Sequence, residues 1–299
     1  TPDEYAIEFK QIFSLYEAPL GGFNGAAISS VVPELSSAMS AAVERVTGCK
    51  PMMLGPGIKT GMNILIDNPA QLGADLLAGG VGAAALYPLP CLVIDLGTAS
   101  KISVIDGNGS FCGCVIAPGI GISLDALSAK TSQLPNISLK TPARAIGKNS
   151  IDSMQSGTVF GFASMIDGLC EKLEEELGEK VMTTVATGGL AKDLVKSCKR
   201  DIIYNGELIL YGLKVLYDRI TNKEVKTYER PKSKPPFFGR SRRGCCICRL
   251  GHADDILESA CGRQSRIYPR SAPYLVDDIH GDIHGGHRQV KRHSSRVQG

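Results

Sequence analysis

The segment Ile94-Asp95-Leu96-Gly97-Thr98-Ala99-Ser100 restricts this chain more than any other. An acid ends an apolar run that starts at Cys91, a glycine permits a tight turn, and a hydroxyl residue follows. The chain then re-enters a second strand-like run, Lys101 to Ile105. Such a hairpin sets backbone N–H groups and Thr98 Oγ1 at its mouth, where a polyphosphate meets no steric obstacle and the carboxylate can hold a cation beside it. An ordinary Asp-Gly hairpin uses the same letters, so the segment by itself leaves the two readings even.

The surrounding pattern is α/β. Residues 3–16 have helical spacing behind Pro2, 25–32 read as a buried strand, Pro33 opens a helix through Val46, and 51–54 form a short strand closed by Gly55-Pro56-Gly57. A helix follows Pro69, strands are predicted over 91–95, 101–105 and 112–117, and a helix over 121–130. A long amphipathic helix covers 150–177, a strand 181–187, a helix 190–198, a short strand 202–203 and a last helix 206–219. The uncharged stretch Leu76 to Ile94 has the length of a membrane span. Its glycines at 79, 80 and 82 and its prolines at 88 and 90 instead read as a helix ending near Leu86, a turn and a buried strand.

Three weaker signals accompany the hairpin. Gly113 to Gly119 is a strand closed by a second tight turn, Pro118-Gly119. Thr187-Gly188-Gly189 joins a strand to a helix whose free N–H groups suit an anionic or nucleotide ligand. Asn68 caps a helix with Pro69 in its first turn, and Asp75 falls on that same helix at the border of the uncharged run. Partly buried and unpaired, such an acid would have a raised pKa and accept a proton from a substrate hydroxyl; a solvent-facing helix acid is the plainer alternative. Acid-x-Gly-Thr on a hairpin, followed later by Thr-Gly-Gly before a helix, is the layout of the actin-like ATPase and sugar-kinase superfamily.

Charge is unevenly distributed. Residues 1–220 carry 17 Lys+Arg against 22 Asp+Glu, and 221–299 carry 16 against 8, with every histidine in the second stretch. A globular body ending near Arg219 is therefore expected, followed by a basic Arg/His/Cys-rich tail, 222–299, without fixed structure. Cys245-Cys246-x-Cys248, Cys261 and His252, His280, His284 and His287 do not follow a zinc-finger spacing. The tail's arginines have few aromatic neighbours, so a nucleic-acid partner is not expected. Cys49, Cys91, Cys170 and Cys198 stand singly among apolar residues, which reads as free thiols in a reducing, cytoplasmic setting, and neither a secretory signal nor a membrane partner is expected.

Residues 1–220 resemble the type III pantothenate kinases. The likeness runs through IKTGMNILIDNPAQLGADLLAG (58–79), VIDLGTASKISVID (93–106), GCVIAPGI (113–120), SLDALSAKTSQLP (123–135), IGKNSIDSMQSG (146–157) and TGGLA (187–191). It implies two actin-like halves of the ASKHA, ribonuclease H-like class, with mixed sheets flanked by helices: 1–88 for the first and 89–221 for the second. It further implies a cytoplasmic homodimer that binds ATP with Mg2+ and a monovalent cation, K+ or NH4+. The γ-phosphoryl group would pass to the hydroxyl of pantothenate, the first step toward coenzyme A.

Carried over by position, Asp75 is the proton acceptor, Gly73 and Ala74 form the pantothenate-contacting turn, and Asp95 is the ligand of the monovalent cation. Thr98 contacts the ATP phosphates at the Gly97 turn, with Gly188 and Gly189 on the nucleotide side. Ser150 stands where the family usually has a pantothenate-contacting threonine. Leu76 replaces a common arginine and Ile66 a common tyrosine on the pantothenate side, so a cation near the substrate carboxylate is missing. The family opens with a strand ending Asp-x-Gly-Asn-Thr, which does not occur in this sequence. The first half is therefore expected to be truncated, with an exposed sheet edge and doubtful activity. A non-catalytic, nucleotide-binding or regulatory actin-like relative is the alternative.

Overall fold

The computed structural model describes residues 1–221 other than Val31 and Pro56, together with the backbone of Gly244–Leu250. The chain divides into two units, Thr1–Gly262 and Arg263–Gly299, and every described residue lies in the first.

Helix α1 (Pro2–Leu15) starts at a capping box. Thr1 accepts the Glu4 backbone N–H through its side chain, and Glu4 reaches back to Thr1. It packs with α2 (Pro33–Thr47) over β1 (Phe23–Ser30) through Phe13, Ile28, Met39 and Val43. Gly48, in the left-handed conformation, ends α2. β2 (Met52–Leu54) pairs parallel with one edge of β1.

The other edge of β1 is not exposed. β8 (Gly244–Leu250) lies parallel along it, with Ala26 opposite Cys246 and Ser29 opposite Arg249, in the order β2-β1-β8. Gly244–Leu250, which lie in the stretch expected to be without fixed structure, thus form a strand. Gly25 to Ser29 are buried, and a buried strand needs partners for its N–H and C=O groups on both sides. The rest of the tail, including Cys261 and the histidines named above, lies outside the described residues.

The second sheet has the order β5-β4-β3-β6-β7. β3 (Cys91–Leu96), β4 (Ala99–Ile105) and β5 (Phe111–Pro118) form an antiparallel meander, while β6 (Thr183–Thr187) and β7 (Ile203–Tyr204) continue it in parallel beyond β3. At the turn between β4 and β5, Asp106 Oδ1 accepts the backbone N–H groups of Asn108 and Ser110 at 2.9 and 2.7 Å. One face carries α4 (Ile120–Ala129) and α5 (Ser150–Leu177) over Leu92, Ile94, Val159 and Ile166. The short α6 (Ala191–Leu194) follows β6.

The uncharged stretch is resolved as the glycine punctuation implied: α3 (Ala74–Leu86), a Pro-containing turn and β3. No described helix is long and apolar enough to cross a membrane. One expectation needs correction: Asn68 does not cap the helix that carries Asp75. Asn68 Oδ1 accepts the Ala70 N–H of a separate 3₁₀ turn, Pro69–Gln71, and α3 starts afresh at Gly73.

Helix α7 (Leu208–Ile220) crosses α3 with almost no side chain between them, because a Cβ on Gly212 would fall 1.7 Å from Ala78 O and one on Gly82 2.5 Å from Leu208 O. The far end of α7 covers β1, where Tyr217 Oη donates to Asn24 O at 3.1 Å. Arg219 Nη1 donates to Thr60 O at 2.9 Å. This close crossing carries α3 from the first sheet to the second and so fixes where Asp75 sits.

Candidate active site

Asp95 and Lys101 face each other across the β3–β4 ladder. Directly opposed residues of an antiparallel pair project to one face of the sheet, so the lysine stem reaches over its partner. Asp75 arrives from the first turn of α3, where Asp75 Oδ1 accepts the Leu76 backbone N–H at 2.8 Å and the helix N-terminus favours a carboxylate. Lys101 Nζ lies 2.5 Å from Asp75 Oδ2 and 2.9 Å from Asp95 Oδ2, a double charge-assisted contact. The side chains are 15%, 13% and 6% exposed for Lys101, Asp75 and Asp95, so water screens this cluster little.

Burial alone disfavours the lysine's charge, but the carboxylates of Asp95 and Asp75 outweigh it and hold the ammonium above the ordinary lysine range. The sequence reading of Asp75 as an unpaired acid is thereby corrected. It is partly buried, as expected, but a cation meets it. Lys101 is the site residue that sequence reasoning missed. No local signal gave it: a two-residue turn at Gly97-Thr98 would pair Asp95 with Ser100, and only the observed register, with Leu96 opposite Ser100, brings Lys101 opposite Asp95.

The three glycine turns converge beside this cluster. Gly188 adopts φ +97°, and a Cβ there would lie 2.4 Å from Leu96 O. A Cβ on Gly119 would lie 2.2 Å from Thr98 O and 2.5 Å from Gly97 O. The hairpin mouth is therefore walled by backbone from both sides, while Thr98 and Gly189 remain exposed at its rim. Gly119 N donates to Thr98 O at 3.1 Å and holds the turn. Thr187, opposite Asp95 in the parallel ladder, has a buried hydroxyl without a hydrogen-bond partner among the described residues.

Gly73 and Ala74 lie beside Asp75 at the start of α3. Leu76 and Ile66 both pack at the margin of the apolar cluster formed by Val93, Ile105, Phe111 and Leu208, so neither brings charge to the site. Ser150 is elsewhere: it opens α5 after the Asn149 cap, whose Oδ1 accepts the Asp152 N–H at 2.9 Å. It lines a separate open cleft of about 770 Å3 together with Ser123, Lys148 and Ser153, and none of Gly73 to Leu76 or Asp95 to Lys101 lines that cleft. The structure thus joins Asp75, Asp95, Gly97, Thr98 and Gly188 and leaves Ser150 apart. Among the described residues no group of three or more His, Cys, Asp or Glu side chains is arranged to hold a metal ion.

Comparison with known proteins matches residues 1–172 to the model of one family, type III pantothenate kinase. The type III pantothenate kinase of Koribacter versatilis is 39% identical over 219 residues, covering 73% of this chain and 80% of that protein. That of Moorella thermoacetica is 38% identical over 221 residues, covering 74% and 87%. Among solved structures, a xylulose kinase from Bifidobacterium adolescentis is similar at 15% identity and a TM-score of 0.33, covering 64% of this chain and 49% of that one.

Proposed function

Because the chain belongs to the type III pantothenate kinase family and is a phosphotransferase acting on an alcohol group, we propose that its substrates are ATP and pantothenate. The product would be 4'-phosphopantothenate, at the entry to coenzyme A synthesis. The observation that carries this reading is the meeting of Asp75 with the Gly97-Thr98 hairpin through Lys101.

In this reading the phosphates of ATP lie along the exposed rim formed by Thr98 and Gly189, beside Gly97, whose missing Cβ leaves open space there. Asp75 takes the proton of the pantothenate hydroxyl as that oxygen forms its bond to the γ-phosphorus and the bond from the γ-phosphorus to ADP breaks. Lys101 offsets the charge of the two carboxylates where a polyanion must approach. Gly73 and Ala74 are the backbone against which pantothenate rests. Ser150 belongs with it only if a second copy of the chain brings its α5 to the α3 of the first, which favours a homodimer. A cytoplasmic setting accords with the free cysteines.

The family resemblance adds Mg2+ and a potassium or ammonium ion. Magnesium would enter on the phosphates of ATP, since the described residues hold no cage for it. Asp95, the residue to which the resemblance gives the monovalent ion, has its Oδ2 2.9 Å from Lys101 Nζ, a normal N⁺–H···O⁻ distance, so that oxygen already meets a tethered cation.

Asp75→Asn tests the assignment. The amide keeps the size of the carboxylate and removes its basicity, a role worth roughly 10²–10⁴-fold in rate. The expected result is loss of pantothenate-dependent ADP release with the fold retained by circular dichroism. Turnover near that of the unsubstituted chain would remove Asp75 from the role of base.

A further inference from the structure

We propose that Lys101 is a built-in ammonium that takes the place of a free monovalent cation at Asp95, making this chain's phosphoryl transfer independent of potassium and ammonium ions. The inference rests on the functional reading above and goes beyond it, since that reading gives Lys101 a charge-offsetting part only and does not say whether the reaction needs a free cation.

Three observations support it. The first is geometry. Lys101 Nζ stands 2.9 Å from Asp95 Oδ2 and 2.5 Å from Asp75 Oδ2, distances at which a free ammonium ion would bind a carboxylate. The second is rigidity. Lys101 is delivered by the strand directly opposite Asp95, and Asp75 by the first turn of a helix whose next residues are buried. A tethered cation held between two fixed carboxylates does not pay the translational cost of capturing an ion from solution. The third is exclusion. These side chains are at most 15% exposed, and a second cation at Asp95 Oδ2 or Asp75 Oδ2 would meet the lysine's charge with little solvent screening.

The charge balance gives the lysine a purpose. Two carboxylates beside a polyphosphate site repel the nucleotide, and one cation between them halves that charge. Leu76 and Ile66 supply none, since both pack in the apolar cluster at the base of α3. Thr187, on the same face as Asp95 and Lys101, has a buried hydroxyl that finds no partner among the described residues and can add a neutral oxygen to this environment. Lys101 is thus a positioning residue: it holds Asp75 and Asp95 in one arrangement and supplies the positive charge between them.

The experiment uses the full chain, unsubstituted and as Lys101→Met, in choline, sodium, potassium and ammonium chloride at about 0.1 M, where the Debye length is roughly 10 Å in every salt. Methionine keeps an apolar stem and removes the charge. Two quantities are measured: the melting temperature and pantothenate-dependent ADP release. The unsubstituted chain is expected to melt at one temperature and turn over at one rate in all four salts. Lys101→Met is expected to lose roughly 10²-fold in choline, the scale of removing one preorganised electrostatic group. Potassium or ammonium chloride should restore most of that loss and raise its melting temperature above the value in choline.

A merely structural ion pair would not be rescued by ammonium in either measurement, and that result would overturn the proposal. A strong dependence of the unsubstituted chain on potassium or ammonium would overturn it too, and this arm needs no variant to fold. If neither protein phosphorylates pantothenate in any salt, the functional reading above fails, and melting of both proteins across the salts decides the role of Lys101 alone.

Discussion

Gly188 shows what a single position contributes to this site. Its φ of +97° is a conformation that side chains with a Cβ rarely adopt, and the added atom would lie 2.4 Å from Leu96 O, at the end of the strand that carries Asp95. Gly188→Ala is expected to cost roughly 1–3 kcal/mol by urea denaturation and to weaken ATP binding as the turn withdraws from the hairpin. Gly121→Ala is the control, since Gly121 lies inside α4 with nothing within 4 Å of its Cβ position, and there alanine should be neutral or slightly stabilising. Equal destabilisation of the two variants would show that Gly188 has no special demand on its backbone. Residues of this kind were legible in the sequence, because Thr187-Gly188-Gly189 and Asp95-x-Gly97-Thr98 announce tight backbone by composition alone. Lys101 was not, because a charge within a strand declares its partner only once the ladder register is known.

Helix α3 is the element that makes the site. It is uncharged beyond Asp75, and its buried run Leu77 to Ala83 is rich in glycine and alanine, which lets α7 approach backbone to backbone. Gly212→Ala would set a Cβ 1.7 Å from Ala78 O, a clash with main chain that no rotamer relieves. That variant is expected to lose roughly 1–3 kcal/mol or more. Its kinase activity should fall with it, because moving α3 moves Asp75. Gly79→Ala, whose Cβ would meet only the side chains of Val93 and Ile209 at 3.7 and 3.8 Å, should be tolerated. Similar melting temperatures for the two variants would show that the crossing is looser than this. Most element positions followed from periodicity and punctuation: the expected helix over 150–177 is α5 itself, and the meander strands fall within a few residues of expectation. The start of α3 did not follow, because Asn68-Pro69 is a good cap for the wrong turn and Gly73, with no side-chain cap, was the true boundary.

Across the molecule, burial sorts the thiols. Desolvation pushes Cys91 from the ordinary 9.0 up to about 12 and Cys170 up to about 11, whereas Cys114 is exposed. Because each buried thiol is raised in the fold, its neutral form stabilises the native state fully below pH 9.0, and that contribution is lost as pH climbs toward the folded values. Iodoacetamide at neutral pH should therefore label Cys114 in the native protein and spare Cys91 and Cys170 until a denaturant is added, as read by peptide mass spectrometry. Labelling of Cys91 at the rate of Cys114 would mean that the second sheet opens far more readily than its packing implies. The α/β class, the tight Asp-x-Gly-Thr hairpin and the buried character of 76–94 were decided by local residue pattern, because turn chemistry and hydrophobic periodicity act over a few residues, and the pantothenate kinase family by likeness of whole segments to its members. The pairing of β8 with β1, the glycine crossing of α3 on α7, the separation of Ser150 from Asp75 and the seat of Lys101 between two carboxylates were decided only by tertiary structure. Each of these joins residues far apart in the chain or sets a strand register, and such contacts are chosen by the demand of buried backbone and buried charge for partners, which no local pattern encodes.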